Sequence, residues 1–248
     1  MTDHSAYDEL MAHLSDLQYK SETWHTVTRS RFLNEQELAN IQREFPEGSH
    51  IRYDGGYPGA RKKEVIFLYD EQEDDFSDIV CLCAKADQRF RKIGHRDILG
   101  ALMHLQIERG SFGDFWLEDN HIYLYTSESM AGFLMDHLTR INQLTVRFEV
   151  IAEHPVQTFQ MRRLESVAAS ERADALVAAI AHCSRAKAKE MIRQGLVSLN
   201  HVPLEVPDQV CDNDSVISIR GTGRFYYRGV KHETKSGRIT VVFDQDIS

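Results

Sequence analysis

The chain has 248 residues, 42% of them hydrophobic, and sets 29 Lys plus Arg against 38 Asp plus Glu for a formal charge of −9. That balance suits two or three small domains with real cores, and 14 Gly with 5 Pro exclude a collagenous or low-complexity chain. No window approaches the roughly 20 apolar residues of a membrane span, and the polar start Met1-Thr2-Asp3-His4 lacks the basic and apolar parts of a secretory signal, so a cytoplasmic protein is expected.

Tyr7, Leu10, Met11, Leu14 and Leu17 recur at helical spacing and predict a first helix. Asn34 followed by Glu37 forms a capping pair for a second helix through Leu38, Ile41 and Phe45, stopped by Pro46 and Gly48. Ile51 to Tyr53 and Glu64 to Tyr69 read as strands around the turn-rich run 54–59, and the acidic run Asp70 to Asp75 reads as a boundary. A small N-terminal α/β domain, residues 1–75, is expected.

The next segment predicts a strand at Asp78 to Lys85, a helix at Arg96 to Leu105, strands at Gly113 to Leu117 and His121 to Tyr125, a helix at Ser127 to Ile141 and a strand at Thr145 to Ile151. The order β-α-β-β-α-β is the split βαβ, ferredoxin-like pattern, and by itself names no function. With an added strand at Thr158 to Val167, the domain is drawn as residues 76–170. Several RNA-binding domains share this order, but His121-Ile122-Tyr123-Leu124-Tyr125 lacks the glycine and basic residues of the ribonucleoprotein signature, so RNA contact by this sheet is not favoured.

The last segment, residues 171–248, opens with a helix at Arg172 to Ala181. Ser184 is a helix N-cap and Gly195 is placed to end that helix. Along it Ala188, Met191 and Ile192 share one side, while Arg185, Lys189 and Arg193 recur every four residues on an adjacent one, predicting a docked apolar face and a solvated basic stripe. A short strand at Leu196 to Leu199, a turn at Asn200 to Pro203, a strand at Ser215 to Arg220, a basic loop and a final strand at Arg238 to Phe243 follow.

Charge is unevenly distributed. Residues 173–248 carry 10 basic and 9 acidic side chains, and within them 183–203 and 220–238 are net +3 and +5, so the preceding residues hold the whole acidic excess. Attraction to phosphate follows the local field, not the total. Cys81, Cys83, Cys183 and Cys211 are spaced neither as a disulfide framework nor as zinc knuckles, and the 12 His form no metal-binding pattern. No phosphate-binding glycine loop or nucleophile elbow is present, and His95-Arg96-Asp97 lacks the companion motifs of a kinase, so Arg96 and Asp97 are read as capping or pairing at a helix start or, equally, as a family-specific contact surface. No catalytic residue, metal or cofactor is assigned. Arg61-Lys62-Lys63 reads equally as a charged strand edge or an RNA contact.

The run from Ser184 to Asn200 resembles the S4 RNA-binding domain: Ser-Arg opens the helix, Ala188 is small, Ile192-x-x-Gly195 ends it and Val197-x-x-Asn200 leads into the turn. His201 stands where many such domains have Gly. His95-Arg96-Asp97-Ile98-Leu99-Gly100-Ala101-Leu102-Met103, then Ile107-x-Arg109 to Phe112-Gly113-Asp114, and the late Arg220-Gly221-Thr222-Gly223-Arg224-Phe225 resemble the bacterial YlmH family, with Gln106 and Phe115 as departures. The resemblance implies an α+β chain: a small N-terminal domain, a central ferredoxin-like (RRM-like) βαββαβ domain and a C-terminal S4 domain. It also implies a ribosome-associated RNA-binding protein tied to the large subunit and to rescue of stalled translation.

Ser184, Arg185, Lys187, Lys189, Arg193, Asn200, Arg220, Arg224 and Arg228 are the expected RNA-binding residues. Guanidinium groups can grip phosphate with paired hydrogen bonds, ammonium groups act as mobile point charges, Ser184 serves first as cap and Asn200 first as turn former. Phe225 and Tyr227 are expected in the core, and Gly221 and Gly223 at positive φ. The expected partners are structured ribosomal RNA of the large subunit and transfer RNA, with no role for DNA or membrane. On this reading, Arg185→Ala with Lys189→Ala leaves folding intact and weakens RNA association. The alternatives are an RNA-modifying enzyme with its active site in 76–170, or a protein-interaction scaffold linked to cell division.

Overall fold

The computed structural model describes residues 3–70, 77–87, 92–235 and 237–247, in two compact units, 1–157 and 158–248. The acidic run read as a boundary lies almost wholly outside the described residues. Among the described residues no helix is long and apolar enough to cross a membrane.

The first unit opens with α1 (Asp3–Trp24), β1 (Thr28–Arg29), α2 (Glu35–Ile41), β2 (Ile51–Asp54) and β3 (Glu64–Phe67). The capping box at α2 forms: the Asn34 side chain accepts from the backbone of Gln36 and Glu37, and Glu37 accepts from the Asn34 N–H. The strands make an antiparallel sheet in the order β1-β3-β2, against which α1 lays Leu10 and Leu14. Covered on both sides, the central strand β3 is buried at all four positions, so it shows no alternation.

The ferredoxin-like layer follows: β4 (Ile79–Lys85), α3 (His95–His104), β5 (Phe115–Glu118), β6 (His121–Ser127), α4 (Glu128–His137), the small hairpin β7 (Arg140–Ile141) and β8 (Leu144–Thr145), and β9 (Phe148–Ile151). Its sheet order, β5-β6-β4-β9 with every pairing antiparallel, is the arrangement two interlocked βαβ units require. Ile122, Leu124, Leu82 and Phe148 face the helices. Helix α4 ends four residues before the expected Ile141, because the chain turns at Asn142, φ 53°, to form the hairpin.

The front segment and this layer form one unit with a shared aromatic core. Tyr57 packs on Tyr125 and Trp116 at ring distances of 4.9 and 5.6 Å, beside Phe32, Ile79 and Cys81. Asp114 accepts hydrogen bonds from the Tyr57 hydroxyl (2.8 Å) and from the backbone N–H groups of Arg61 (2.6 Å) and Lys62 (3.2 Å). The Phe112-Gly113-Asp114 motif is thus a fastener for the glycine turn.

The second unit comprises β10 (Met161–Ala168), α5 (Ala173–Ile180), α6 (Arg185–Arg193), β11 (Val197–Leu199), β12 (Val202–Pro203), β13 (Val216–Ile219), β14 (Gly223–Glu233) and β15 (Ile239–Asp246). Its sheet runs β10-β15-β14-β13-β11-β12, antiparallel throughout. Two expectations are corrected. The strand assigned to the central domain, β10, pairs along all eight residues with β15, which moves the boundary from 170 to 157. The supposed basic loop is largely β14, an 11-residue strand whose Phe225 and Tyr227 are buried, as expected for these aromatics. Alternating charged and apolar residues there mark a one-sided strand, not a loop.

Gly56 carries a tight backbone constraint in the first unit. Its φ is +86°, and a Cβ there would stand 2.5 Å from the buried Tyr125 ring and 2.7 Å from Ile79. Gly56→Ala should therefore destabilise the chain by about 2–3 kcal/mol in denaturant melts, combining overpacking with a disfavoured conformation.

Candidate nucleic-acid interface

Helix α6 forms where the cap and apolar spacing place it. The Ser184 hydroxyl accepts from the Lys187 N–H at 3.2 Å, Ala188 and Ile192 are buried against α5, and Gly195 at φ +67° ends the helix. Asn200, at φ 49°, makes the turn after β11, and its carboxamide oxygen accepts from the Val216 N–H at 2.8 Å.

The basic stripe has a second employment. Asp174, in the first turn of α5, is 0% exposed. Arg185 donates to both its oxygens at 3.0 and 2.8 Å, Arg172 approaches at 3.3 and 3.4 Å, and the Lys189 ammonium stands 3.5 Å away. Burial would raise the Asp174 carboxyl, but the hydrogen bonds from Arg185 and Arg172 outweigh it and hold the group below its ordinary value. Position on the α5-facing flank of α6 is what draws Arg185 and Lys189 inward. The expected wholly solvated stripe is corrected accordingly. Their side chains remain 45% and 38% exposed, and even with Asp208 pairing to Arg172 the three cations leave a positive excess.

Lys187 and Arg193 are exposed and have no ion-pair partner among the described residues; the same holds for Arg220. Arg220 opens the β13–β14 turn, and its N–H donates to the Leu196 carbonyl at 2.8 Å, which brings this turn to the end of α6. Gly221 and Gly223 have positive φ, as expected. Arg224 lies opposite Asp246 in the ladder.

Arg228 is exposed but already paired with acids. It sits in the bulge between the pairs Tyr227–Phe243 and Gly229–Val242, which aims it at two acids. Its guanidinium donates to Asp244 at 2.8 Å and to Asp214, and lies over the Tyr226 ring. Sequence reading missed Asp174, Asp214 and Asp244 as counterions, since nothing in their local pattern announces a partner 11 to 16 residues away.

In the first unit, Asp97 accepts from the Gly94 N–H at 2.8 Å and from Asn142 at 2.6 Å, so it starts α3 as expected. His95 stacks on Phe115 at 4.4 Å, and burial with the nearby Lys62 charge holds its imidazole below the usual value. The Lys62 ammonium, pushed down to about 8 mainly by burial, donates to the carbonyls of Arg109 and Phe112, so this member of the basic triplet is committed to the fold. Lys92, Arg96 and Arg109 are exposed around the same motif. Sheets of this topology bind single strands by stacking bases on aromatic side chains. Here Tyr57 covers Trp116 and Tyr125, leaving Tyr123 half-buried at the margin.

The cysteines are free; burial raises Cys81 and Cys211 to about 11, leaving them as inert thiols.

Asp174→Ala should destabilise the protein by about 2–4 kcal/mol, since it strands three converging cations, and Arg185→Ala by about 1–2 kcal/mol. Because the folded Asp174 value is depressed, its stabilisation is full above ~3.9, the unfolded aspartate value, and is lost as pH falls through the folded one. Asp174→Asn should flatten that acid limb in melts from roughly pH 2 to 5.

Comparison with known proteins now bears on these surfaces. Residues 71–154 match a family model described as "Putative RNA-binding domain in YlmH". The chain is 28% identical over 201 residues to "Ribosome-associated protein quality control protein P2" of Bacillus subtilis (strain 168), covering 79% of this chain and 77% of that protein. A solved structure, "Cell division protein ylmH from Streptococcus pneumoniae", superposes with a TM-score of 0.47 at 18% identity, covering 61% of this chain and 92% of that one. The RNA-binding description falls on the central layer, which the sequence reading had not favoured for RNA contact. The resemblance to the YlmH family seen in the motifs is thereby borne out over residues 71–154 and by the relative from Bacillus subtilis.

Proposed function

We propose that the protein binds ribosomal RNA of the large subunit in the cytoplasm and acts in ribosome-associated quality control as a non-catalytic adaptor. Its S4-like second unit grips the RNA backbone, and the family's RNA-binding domain in the first unit supplies a second contact. The observation that carries this reading is the set of cations on α6 and the adjoining β13–β14 turn, where Lys187, Arg193 and Arg220 are exposed without ion-pair partners among the described residues in a chain of net charge −9. Beside it, Arg185, Lys189 and Arg172 overcompensate Asp174. Fixed cations on a rigid helix and turn can follow a phosphate backbone, while base contacts, stacking and shape supply specificity.

On this reading the nine sequence-derived residues divide. Lys187, Arg193 and Arg220 contact phosphate directly. Arg185 and Lys189 share themselves between Asp174 and RNA, Ser184 and Asn200 shape the surface, Arg224 lies beside it, and Arg228 is structural. In the first unit, Lys92, Arg96 and Arg109 are the cations positioned to meet RNA, since the sheet's aromatic face is covered. The resemblance to a quality-control protein extends the proposal to transfer RNA as a second ligand.

The combined variant Lys187→Ala, Arg193→Ala, Arg220→Ala removes no buried side chain and should fold. Its affinity for large-subunit RNA should fall, and the slope of log affinity against log salt should become shallower by roughly one for each phosphate that is no longer neutralised. Equilibrium binding of the full chain across a salt series, with transfer RNA in a parallel arm, measures this. An unchanged slope in the folded variant counts against the assignment.

A further inference from the structure

Inside the first unit lies a cleft of about 260 Å³ to which neither the aromatic core nor the Asp114 fastener assigns a role. It is lined by Glu64 of β3, which is 4% exposed. The Glu64 Oε2 atom is shielded from solvent and has no hydrogen-bond partner among the described residues. Arg29 of β1 and Asp78, just before β4, line the same cleft, with Arg29 Nε 3.3 Å from Asp78 Oδ1. Ser127 and Ser129, whose hydroxyls lie 3.1 Å apart, stand at the start of α4 and complete the polar wall.

A buried carboxyl oxygen without a donor is a standing cost to the fold, and such groups call for a partner not yet present. The cleft asks for a ligand that offers adjacent donors to a carboxylate and an acceptor to a guanidinium. The Watson–Crick edge of guanine has that pattern, with N1–H and the N2 amino group beside O6. Adenine and cytosine each offer one amino donor beside a ring acceptor, and uracil one ring donor between two carbonyls. A simple ammonium group is opposed by Arg29. The volume lies just below the ~300 Å³ at which drug-sized pockets begin, so one base enters and a stacked pair does not. The side formed by Ser127, Ser129, Ser111 and Gly110 belongs to the segment matched as an RNA-binding domain, and hydroxyl groups there suit a ribose.

We propose that this cleft reads one unpaired guanine of the bound RNA, with Glu64 accepting from its N1–H and N2–H donors and the Arg29 guanidinium facing O6. The inference rests on the RNA-binding reading above and adds the identity of a base. It also carries a pH signature. Burial first, then the charges of Asp78 and Asp54, push the Glu64 carboxyl up to about 8 against the pull of Arg29; Arg31 and Glu108 are the other charged groups lining the cleft. Glu64 is therefore protonated at neutral pH, and guanine must displace that proton. Affinity for guanine rises with pH up to about 8, by at most about tenfold per unit. A base that needs the protonated acid loses affinity over the same range.

Titration of the full chain with 5′-GMP, AMP, CMP and UMP at about pH 6 and pH 8, followed by ligand-observed NMR, tests this. The expected result is a preference for GMP of about ten- to hundredfold, stronger at the higher pH. Glu64→Gln, isosteric with the protonated acid, should fold and lose the preference because its amide presents a donor to guanine's donors. Ser129→Trp, at an exposed position of the wall, should block all four nucleotides without touching the core. Equal binding of the four nucleotides, preference for AMP, or an unchanged preference in folded Glu64→Gln overturns the proposal. Ribosomal RNA binding measured alongside separates the two readings: RNA bound without guanine selectivity sinks the cleft alone, and no RNA binding by the native chain sinks both.

Discussion

A carboxylate removed from water must find its compensation inside the fold, and Asp174 finds it in Arg172, Arg185 and Lys189. That requirement sets how α6 lies beside α5: one flank of the helix faces the acid, the apolar face packs on Val177 and Ile180, and the remaining arc carries Lys187 and Arg193 outward. The same charges that read as a binding stripe thus serve first as counterions. Three cations answer Asp174 and, through Arg172, Asp208, so the cluster keeps one positive charge in excess while anchoring the helix pair.

Asp114 performs a comparable task in the first unit. It receives three hydrogen bonds from the glycine turn at 57–62 and so holds Tyr57 over Trp116 and Tyr125. The consequence is functional. A sheet of this topology can present its open face to RNA, but here that face is roofed by the front of the chain, which leaves its aromatic side chains packed against Tyr57. Placing Glu64 on β3, buried at every position, also explains why its carboxyl is shielded from solvent.

Much of the architecture was legible from local chemistry. The Asn34–Glu37 capping box, the Ser184 cap, the Gly195 stop and the Asp97 helix start involve residues within four positions of one another, and the structure contains each. The β-α-β-β-α-β order followed from alternating periodicities, and the observed sheet order matches it. Legibility failed where a strand's partner is remote. Residues 158–167 read as a strand but could not declare that the partner of β10 is 239–246, and β14 was hidden by its density of arginine and lysine.

The basic surface divides along the same line. Residue types and one-turn spacing alone concentrated positive charge on α6 and the 220–238 segment, because net local charge and helical phase are properties of neighbouring residues. Which of those charges face solvent was decided only by the tertiary structure. Asp174 claims Arg185 from 11 residues away, Asp214 and Asp244 claim Arg228 from 14 and 16, and Lys62 reaches carbonyls 47 and 50 residues on. Ion pairs and burial depend on distance in space, and the chain brings those atoms together only when its sheets close.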